Sequence, residues 1–448
     1  MSASGLGAEG EKADGAGKAE SPLMKAAAPA VFAHVMVSFQ SKARSGKWSG
    51  WNYSNRIVRN DPEALDEQGR PKVASVYYPL IGRYDMTDPH TAECHCQLAK
   101  MSGIDGFLFD LGFYYDPGTR TPTWRVEAMK RYADAMARYG LKAVVVYEDK
   151  ANFMWNRHLK GRPETVAACH EGMDAWMKVI EKVQYRIAGR PVLMFFSYGE
   201  DVPGKGVGRL SGQEVAEWLE RFKPADRPIL ATQWWQPPYK GIMNGWYDWT
   251  LMRHGPPPDG RDLRGWGTLD DVKELYEQRR SRIRRLLADG TLDLHMNCVY
   301  PGFDDRGCWG WGDGHRLVER SDGAVYRYTW EQAVSDSVPL VQIATWNDWF
   351  EGTNVEPSAE DGVKYLQITR DYAAKFKTTP PAKADLLLPI RVYRIRKTAR
   401  DAATLKAMDE ASELIRQGRY ADAEKQVAPI ARKLNVDAPK FWTVPKAD

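Results

Sequence analysis

Short apolar runs alternate with amphipathic stretches along most of this chain. Residues 31–39 (VFAHVMVSF), 104–111 (IDGFLFDL), 141–148 (LKAVVVYE), 191–198 (PVLMFFSY) and 228–233 (PILATQ) read as strands. Residues 245–251 (GWYDWTL) form a weaker sixth, and 295–302 (HMNCVYPG) and 339–346 (PLVQIATW) complete eight. Between them, residues 125–139, 169–186, 212–221 and 269–287 carry apolar residues at helical spacing. Strands alternating with helices predict a parallel sheet, and runs apolar on both faces predict a sheet covered on both sides. Eight such units fit a closed (β/α)8 TIM barrel of the α/β class. An open doubly wound sheet would bring a Gly-rich phosphate loop after its first strand, and none follows Phe39.

The pattern also divides the chain. Residues 1–29 are rich in Ala, Gly, Glu and Lys and predict a disordered segment. Residues 30–380 hold the barrel, with long βα insertions at about 40–88 and at 304–316 (DDRGCWGWGDGHR). Residues 381–448 change in texture. Two amphipathic stretches, 401–416 and 420–434, flank Gly418 and predict a small helical appendage. One such pair is too few for a solenoid.

Composition narrows the function classes. The formal net charge is +4, from 63 basic and 59 acidic residues interspersed along the chain, which is not a nucleic-acid footprint. No apolar run approaches the roughly 20 residues that a membrane span needs. Residues 1–29 lack the apolar core of a signal peptide. The five Cys are an odd, sparse set that predicts no disulfide framework. Cys94-His95-Cys96 lacks the usual C-x2-C metal spacing and lies in a helical stretch, so neither a metal nor another cofactor is expected. The 17 Trp and 21 Tyr are many, and those near Gly and Asp suit stacking on sugar rings.

In a barrel the chemistry lies at the C-terminal ends of the strands. There the second run ends in Asp110, the third in Glu148, and the fifth leads into Trp235. The seventh holds Tyr300 and leads into Asp304 and Trp309; the eighth holds Trp346 and leads into Asp348, Trp349, Glu351 and Glu356. His34 lies within the first run. Asp348 and Glu351 are the candidate catalytic carboxylates. Glycoside cleavage needs one acid to protonate the departing oxygen and a second to activate water, attack, or activate a substrate hydroxyl. Close carboxyls push their pKa values apart, and the neighbouring rings exclude water. The competing structural reading is an ordinary helix start, where an Asp and a Glu three apart satisfy backbone N–H groups. His34, Asp110, Glu148, Trp235, Tyr300, Asp304, Trp309, Trp346, Trp349 and Glu356 are candidate substrate-binding or supporting residues.

The segment ATWNDWFEGTNVEP at residues 344–357 resembles the strand-eight signature of glycoside hydrolase family 99, the endo-α-mannosidases and endo-α-mannanases. It also resembles family 71, the α-1,3-glucanases. VFAHVMVSF is similar to the first strand of family 71. YYPLIGRYDMTDP (77–89), SGIDG (102–106) and YPGFDD (300–305) are similar to family 99 and its bacterial relatives. The first carboxylate, Asp348, follows family 71 where family 99 has Glu, while Gly352-Thr353 follows family 99 and Phe350 stands at its histidine position. The resemblance implies a glycoside hydrolase acting on an α-linked glucan or mannan, within the polymer chain. A shorter Asp leaves room for water, which favours Asp348 as base and Glu351 as acid. Two alternatives remain open at this point, a non-catalytic carbohydrate-binding barrel and a processing protein for surface polysaccharides. The partner in every case is an oligo- or polysaccharide.

Overall fold

The computed structural model describes residues 21–116, 118–156, 159–196, 209–233, 239–336, 338–436 and 442. Eight parallel strands form its centre: β1 (Ala30–Met36), β2 (Gly106–Leu111), β3 (Lys142–Tyr147), β4 (Arg190–Phe195), β5 (Ile229–Thr232), β6 (Gly245–Tyr247), β7 (Leu294–Val299) and β8 (Leu340–Ile343). Each pairs with its sequence neighbour, and β8 pairs with β1 in the register Ala30↔Leu340, so the sheet closes. The predicted TIM barrel is therefore the observed fold. Seven helices cover it: α1 (Pro89–Met101), α2 (Trp124–Tyr139), α3 (Arg162–Val179), α4 (Gly212–Leu219), α5 (Leu269–Ala288), α6 (Ala324–Ser335) and α7 (Lys364–Lys377). The third helix starts and ends about two turns before the predicted span, because Pro163 sets its first turn.

Side chains alternate as a two-residue period requires. Phe32, Leu108, Val144, Val146, Met194, Ala231, Tyr247, Met296 and Leu340 fill the barrel interior. Val35, Phe109, Val145, Leu193, Leu230 and Ile343 face the helices. Both faces are thus apolar, and the sequence runs showed this as continuous hydrophobicity. Gly106 is required where β2 meets β3, since a Cβ there would sit 1.9 Å from the Lys142 carbonyl oxygen.

The stretch expected to be disordered to residue 29 carries a helix, Pro22–Ala26, in its last part. Met24 and Ala27 are buried with the interior residues and close one end of the barrel, an apolar role that the flanking Ala-rich composition concealed. At the far end of the chain, α8 (Leu388–Thr398), α9 (Ala402–Arg416) and α10 (Tyr420–Lys433) pack beside α1. A small second sheet joins Phe303–Asp304, Arg316–Val318, Gly265–Gly267 and Arg253–His254. It ties the loop after β7 to the segment after β6 and stiffens one wall of the barrel mouth.

Candidate active site

Asp348 and Glu351 lie just past β8, on a tight turn built by the segment around them. The Asn347 side chain accepts from the Met36 amide at 2.8 Å and donates back to the Met36 carbonyl at 3.2 Å, which fastens the turn to the end of β1. Thr345 Oγ1 accepts the Asp348 amide at 2.8 Å, and the Thr353 amide donates to the Asp348 carbonyl at 3.2 Å. Gly352 closes the turn at φ +57°, where a Cβ would lie 2.6 Å from the Asp304 carbonyl oxygen. The helix-start reading of this pair holds in one respect: Asp348 Oδ1 accepts the Glu351 amide at 3.0 Å. No helix follows, however, and the turn runs on into extended chain.

A buried polar network backs the turn. The Tyr84 hydroxyl donates to Glu356 Oε2 at 2.8 Å, and it accepts from Trp349 Nε1 and Asn347 Nδ2, both at 3.1 Å. His95 bridges Glu356 Oε1 at 3.1 Å and the Tyr132 hydroxyl at 2.7 Å. Glu356 therefore supports the site from behind. Trp346 and Trp349 do the same: both are fully buried, Trp346 against His95 and Phe107.

Glu351 is the accessible member of the pair, with 14 % of its side chain exposed against 1 % of Asp348. Its Oε1 accepts from Trp311 Nε1 at 3.2 Å and lies 3.4 Å from Arg316 Nη2. Arg316 is held by Asp305 through Nε at 2.6 Å. Burial raises the Asp348 carboxyl well above the usual range, with further contributions from the charges of Glu351 and Asp110. Burial also raises Glu351, while Arg316 and the Trp311 N–H oppose the rise. Two desolvated carboxyls whose charges oppose one another do not both ionise readily, so the titrations of Asp348 and Glu351 are linked.

A second pair stands on the adjacent strands. Asp110 ends the inward row of β2, and Glu148 follows β3. Burial, with the charge of Glu351 adding, pushes Asp110 up to about 7 against the lowering effect of Arg125. Burial and the charge of Asp110 push Glu148 up to about 8. His34 lies beneath, fully buried, with Nε2 3.5 Å from Asp110 Oδ2; burial drives its pKa down to about 3, so it is neutral. It touches Asp110 and the rings of Trp249 and Phe196, which makes it a support for Asp110. These raised carboxyls have a measurable consequence. Each favours folding fully below the ordinary carboxylate range and loses that contribution as pH rises through its folded value. Raising the pH from 5.5 to 8.5 is therefore expected to cost on the order of 2 kcal/mol of stability. The melting midpoint should fall by roughly 2 °C, and Glu148→Gln should flatten that fall. A midpoint that held or rose across this window would contradict the assignment.

Several sequence candidates occupy other places. Tyr300 is fully buried, and its hydroxyl donates to the Leu251 carbonyl at 2.8 Å, so it is a packing residue and not a ring platform. Asp304 is consumed within its loop by Arg306 (2.5 Å) and His315 (3.2 Å), and these hold its carboxyl below the usual range. Trp309 is half-buried and stacks on His315 at 5.6 Å. Trp235 lies outside the described residues. An open ring beside Glu351 is Trp311, 41 % exposed and packed against Tyr53 and Phe350. The sequence alone does not single out Trp311, because two Trp in one Gly-rich loop are indistinguishable until the backbone turns. Arg316 and Arg125 were not anticipated: Arg316 meets Glu351 from 35 residues away, and Arg125 lies 15 residues from Asp110 on the next helix. All five Cys are free and buried. Among the described residues, no group of three or more metal-ligating side chains could hold a metal ion, and no helix is long and apolar enough to cross a membrane.

No family model matches the chain. A mouse glycoprotein endo-alpha-1,2-mannosidase is 19% identical over 355 residues, covering 74% of this chain and 71% of that protein. Two solved structures of a GH99 endo-alpha-mannosidase from Bacteroides thetaiotaomicron, one in complex with bis-tris-propane, superpose with TM-scores of 0.52 and 0.53. Each is 16% identical, over 78% of this chain and 97% of its own. A glycoside hydrolase-like protein is 17% identical over 77% and 94%, with a TM-score of 0.52. The resemblance read from short motifs thus extends over three quarters of the chain, and in fold and distant sequence similarity the protein is GH99-like.

Proposed function

We propose that this protein is a glycoside hydrolase that cleaves an α-linked mannan or glucan within the chain, using Asp348 and Glu351. The observation that carries this reading is the desolvated carboxyl pair at the mouth of a GH99-like barrel, with one member buried and the other reaching the surface beside an exposed Trp. Glu351 is the proton donor, because it faces the groove and Arg316 stabilises the carboxylate left behind. Asp348, which accepts the Glu351 amide, is the base that activates water or a neighbouring sugar hydroxyl; burial favours its protonated form, so it takes that role in the fraction of molecules whose proton sits on Glu351. Trp311 offers a stacking face next to the departing sugar. The mannan side is favoured by the likeness to endo-alpha-mannosidases, and the glucan side by Asp at the first position of the pair.

The test is incubation with defined α-mannan and α-glucan oligosaccharides, following the product anomer by NMR. Internal cleavage with release of reducing ends is expected. Binding without any cleavage would instead mark a carbohydrate-binding barrel.

A further inference from the structure

Two long insertions flank the strand that carries the carboxyl pair, one after β1 at about 40–88 and one after β7 at 304–316. The second supplies both partners of Glu351 Oε1, the Trp311 indole and Arg316. Its backbone is not one that its side chains favour. Trp309 and Trp311 sit in the left-handed region, at φ 48° and 62°. A residue with a Cβ stays there only where its surroundings outweigh the cost.

The first insertion supplies such support. Three of its side chains bond backbone carbonyls of the second. Asn55 Nδ2 donates to the Cys308 carbonyl at 2.7 Å. Arg56 donates to the Gly312 carbonyl through Nη2 at 2.8 Å and Nε at 3.1 Å. Asn60 Nδ2 donates to the Gly307 carbonyl at 3.2 Å, and to the Tyr53 carbonyl of its own insertion at 2.7 Å. The three carbonyls bracket Trp309 and Trp311, two before them and one after. The Asn55 donor is itself fixed, because its Oδ1 accepts the Ile57 and Val58 amides at 2.8 and 2.9 Å. The Tyr53 ring then lies edge-on to Trp311, with centroids 5.0 Å apart.

We propose that Asn55, Arg56 and Asn60 are positioning residues for Glu351: by holding the backbone on either side of Trp311, they keep its indole N–H on the Glu351 carboxyl. The inference rests on the hydrolase reading for the donor role of Glu351, but its first test reads the hydrogen bond without substrate. A pH signature follows. Burial raises the Glu351 carboxyl, Arg316 and the Trp311 N–H lower it, and the charge of Asp305 raises it. Asp348 on the same turn and Asp110 at the end of β2 are the other carboxyls whose charges it opposes. Losing the indole N–H therefore moves Glu351 up. The alkaline limb of hydrolysis, where the donor gives up its proton, moves up with it.

The first test is NMR of the full chain labelled with 15N at its 17 Trp, with the Trp311 indole signal identified by its absence from Trp311→Phe. Asn55→Asp keeps the oxygen that closes its turn and loses the donor to Cys308. Arg56→Ala removes an exposed side chain. In each, the Trp311 signal is expected to move towards the position of a water-bonded indole, and further in the double variant, while the buried Trp signals stay in place. The wild-type signal should follow the ionisation of Glu351 with pH, and its midpoint should be higher in the variants. Arg59→Ala, exposed in the same segment, should change nothing. The second test is hydrolysis. The double variant should lose about tenfold in kcat/KM, since a displacement of about 1 Å can cost up to about 100-fold. Its alkaline limb should move up, which a smaller folded fraction would not cause. A wild type that cleaves no glycan would remove the hydrolase reading and leave the indole test standing. A Trp311 signal unmoved in both single variants and in the double variant would overturn the proposal. So would an equal displacement in Arg59→Ala, or slower hydrolysis with an unmoved alkaline limb.

Discussion

Replacing Glu351 with Gln is expected to lower hydrolysis of an α-glycan by about 10²–10⁴-fold, the usual contribution of a positioned proton donor. The amide keeps the shape and an oxygen to accept the Trp311 N–H, so the loss reports the proton and not the fold. Asp348→Asn is expected to cost a similar factor. The two are separable by the leaving group. An aryl α-glycoside with an acidic phenol departs without protonation, so Glu351→Gln should recover most of its rate on it, while Asp348→Asn should not. Initial rates on both substrates, with melting curves to establish folding, decide the matter. Variants that each keep within about tenfold of the wild-type rate on the natural linkage would remove the pair from the mechanism. If only Asp348→Asn responded to the leaving group, the two roles would be exchanged.

Removing residues 381–448 is expected to prevent the barrel from folding. The helices α8 to α10 look like an add-on in the sequence, but their contacts reach the layer behind the site. Arg394, 1 % exposed, donates to the Leu80 carbonyl at 2.6 and 3.1 Å, and the Leu80 amide donates to the Pro357 carbonyl at 2.9 Å, next to Glu356. Gln97 and the Tyr139 hydroxyl both meet Ser412. Lys397 pairs with Asp88, the cap of α1, and Arg396 pairs with Glu93. Leu388, Ile390, Val392, Tyr393 and Ile395 belong to the same apolar cluster as the barrel helices. Truncation would bare the apolar face of α1 and leave several buried polar groups unpaired. A loss on the order of 5 kcal/mol or more follows, against a total stability of about 5–15 kcal/mol. Circular dichroism of a chain ending at residue 380 would check this. A cooperative melt within a few degrees of the full-length protein would show that the appendage is dispensable.

The barrel was legible because its signal is local and repeated. Eight runs, each apolar on both faces, need both faces covered, and few folds offer that. The place of Asp348 and Glu351 just past the eighth strand was legible from the motif around them. Their setting was not, since Arg316 reaches Glu351 from a distant loop in which Asp305 holds it.

Residues that are alike in the sequence are separated for the same physical reason. Asp304 and Asp305 are equivalent in a string of letters, yet both are spent on arginines of their own loop. Trp309 and Trp311 each adopt positive φ, at 48° and 62°, and this backbone path turns one ring onto His315 and the other outward to Glu351.

The order of strands and helices, the closed α/β architecture and the position of the carboxyl pair after the eighth strand were therefore determined by sequence alone, because hydrophobic periodicity and short motifs are properties of neighbouring residues. Which acid reaches solvent, which Trp of the Gly-rich loop faces outward and what the last three helices support were decided only in the tertiary structure. Burial and hydrogen-bond partners come from residues tens to hundreds of positions apart, and no local pattern carries them.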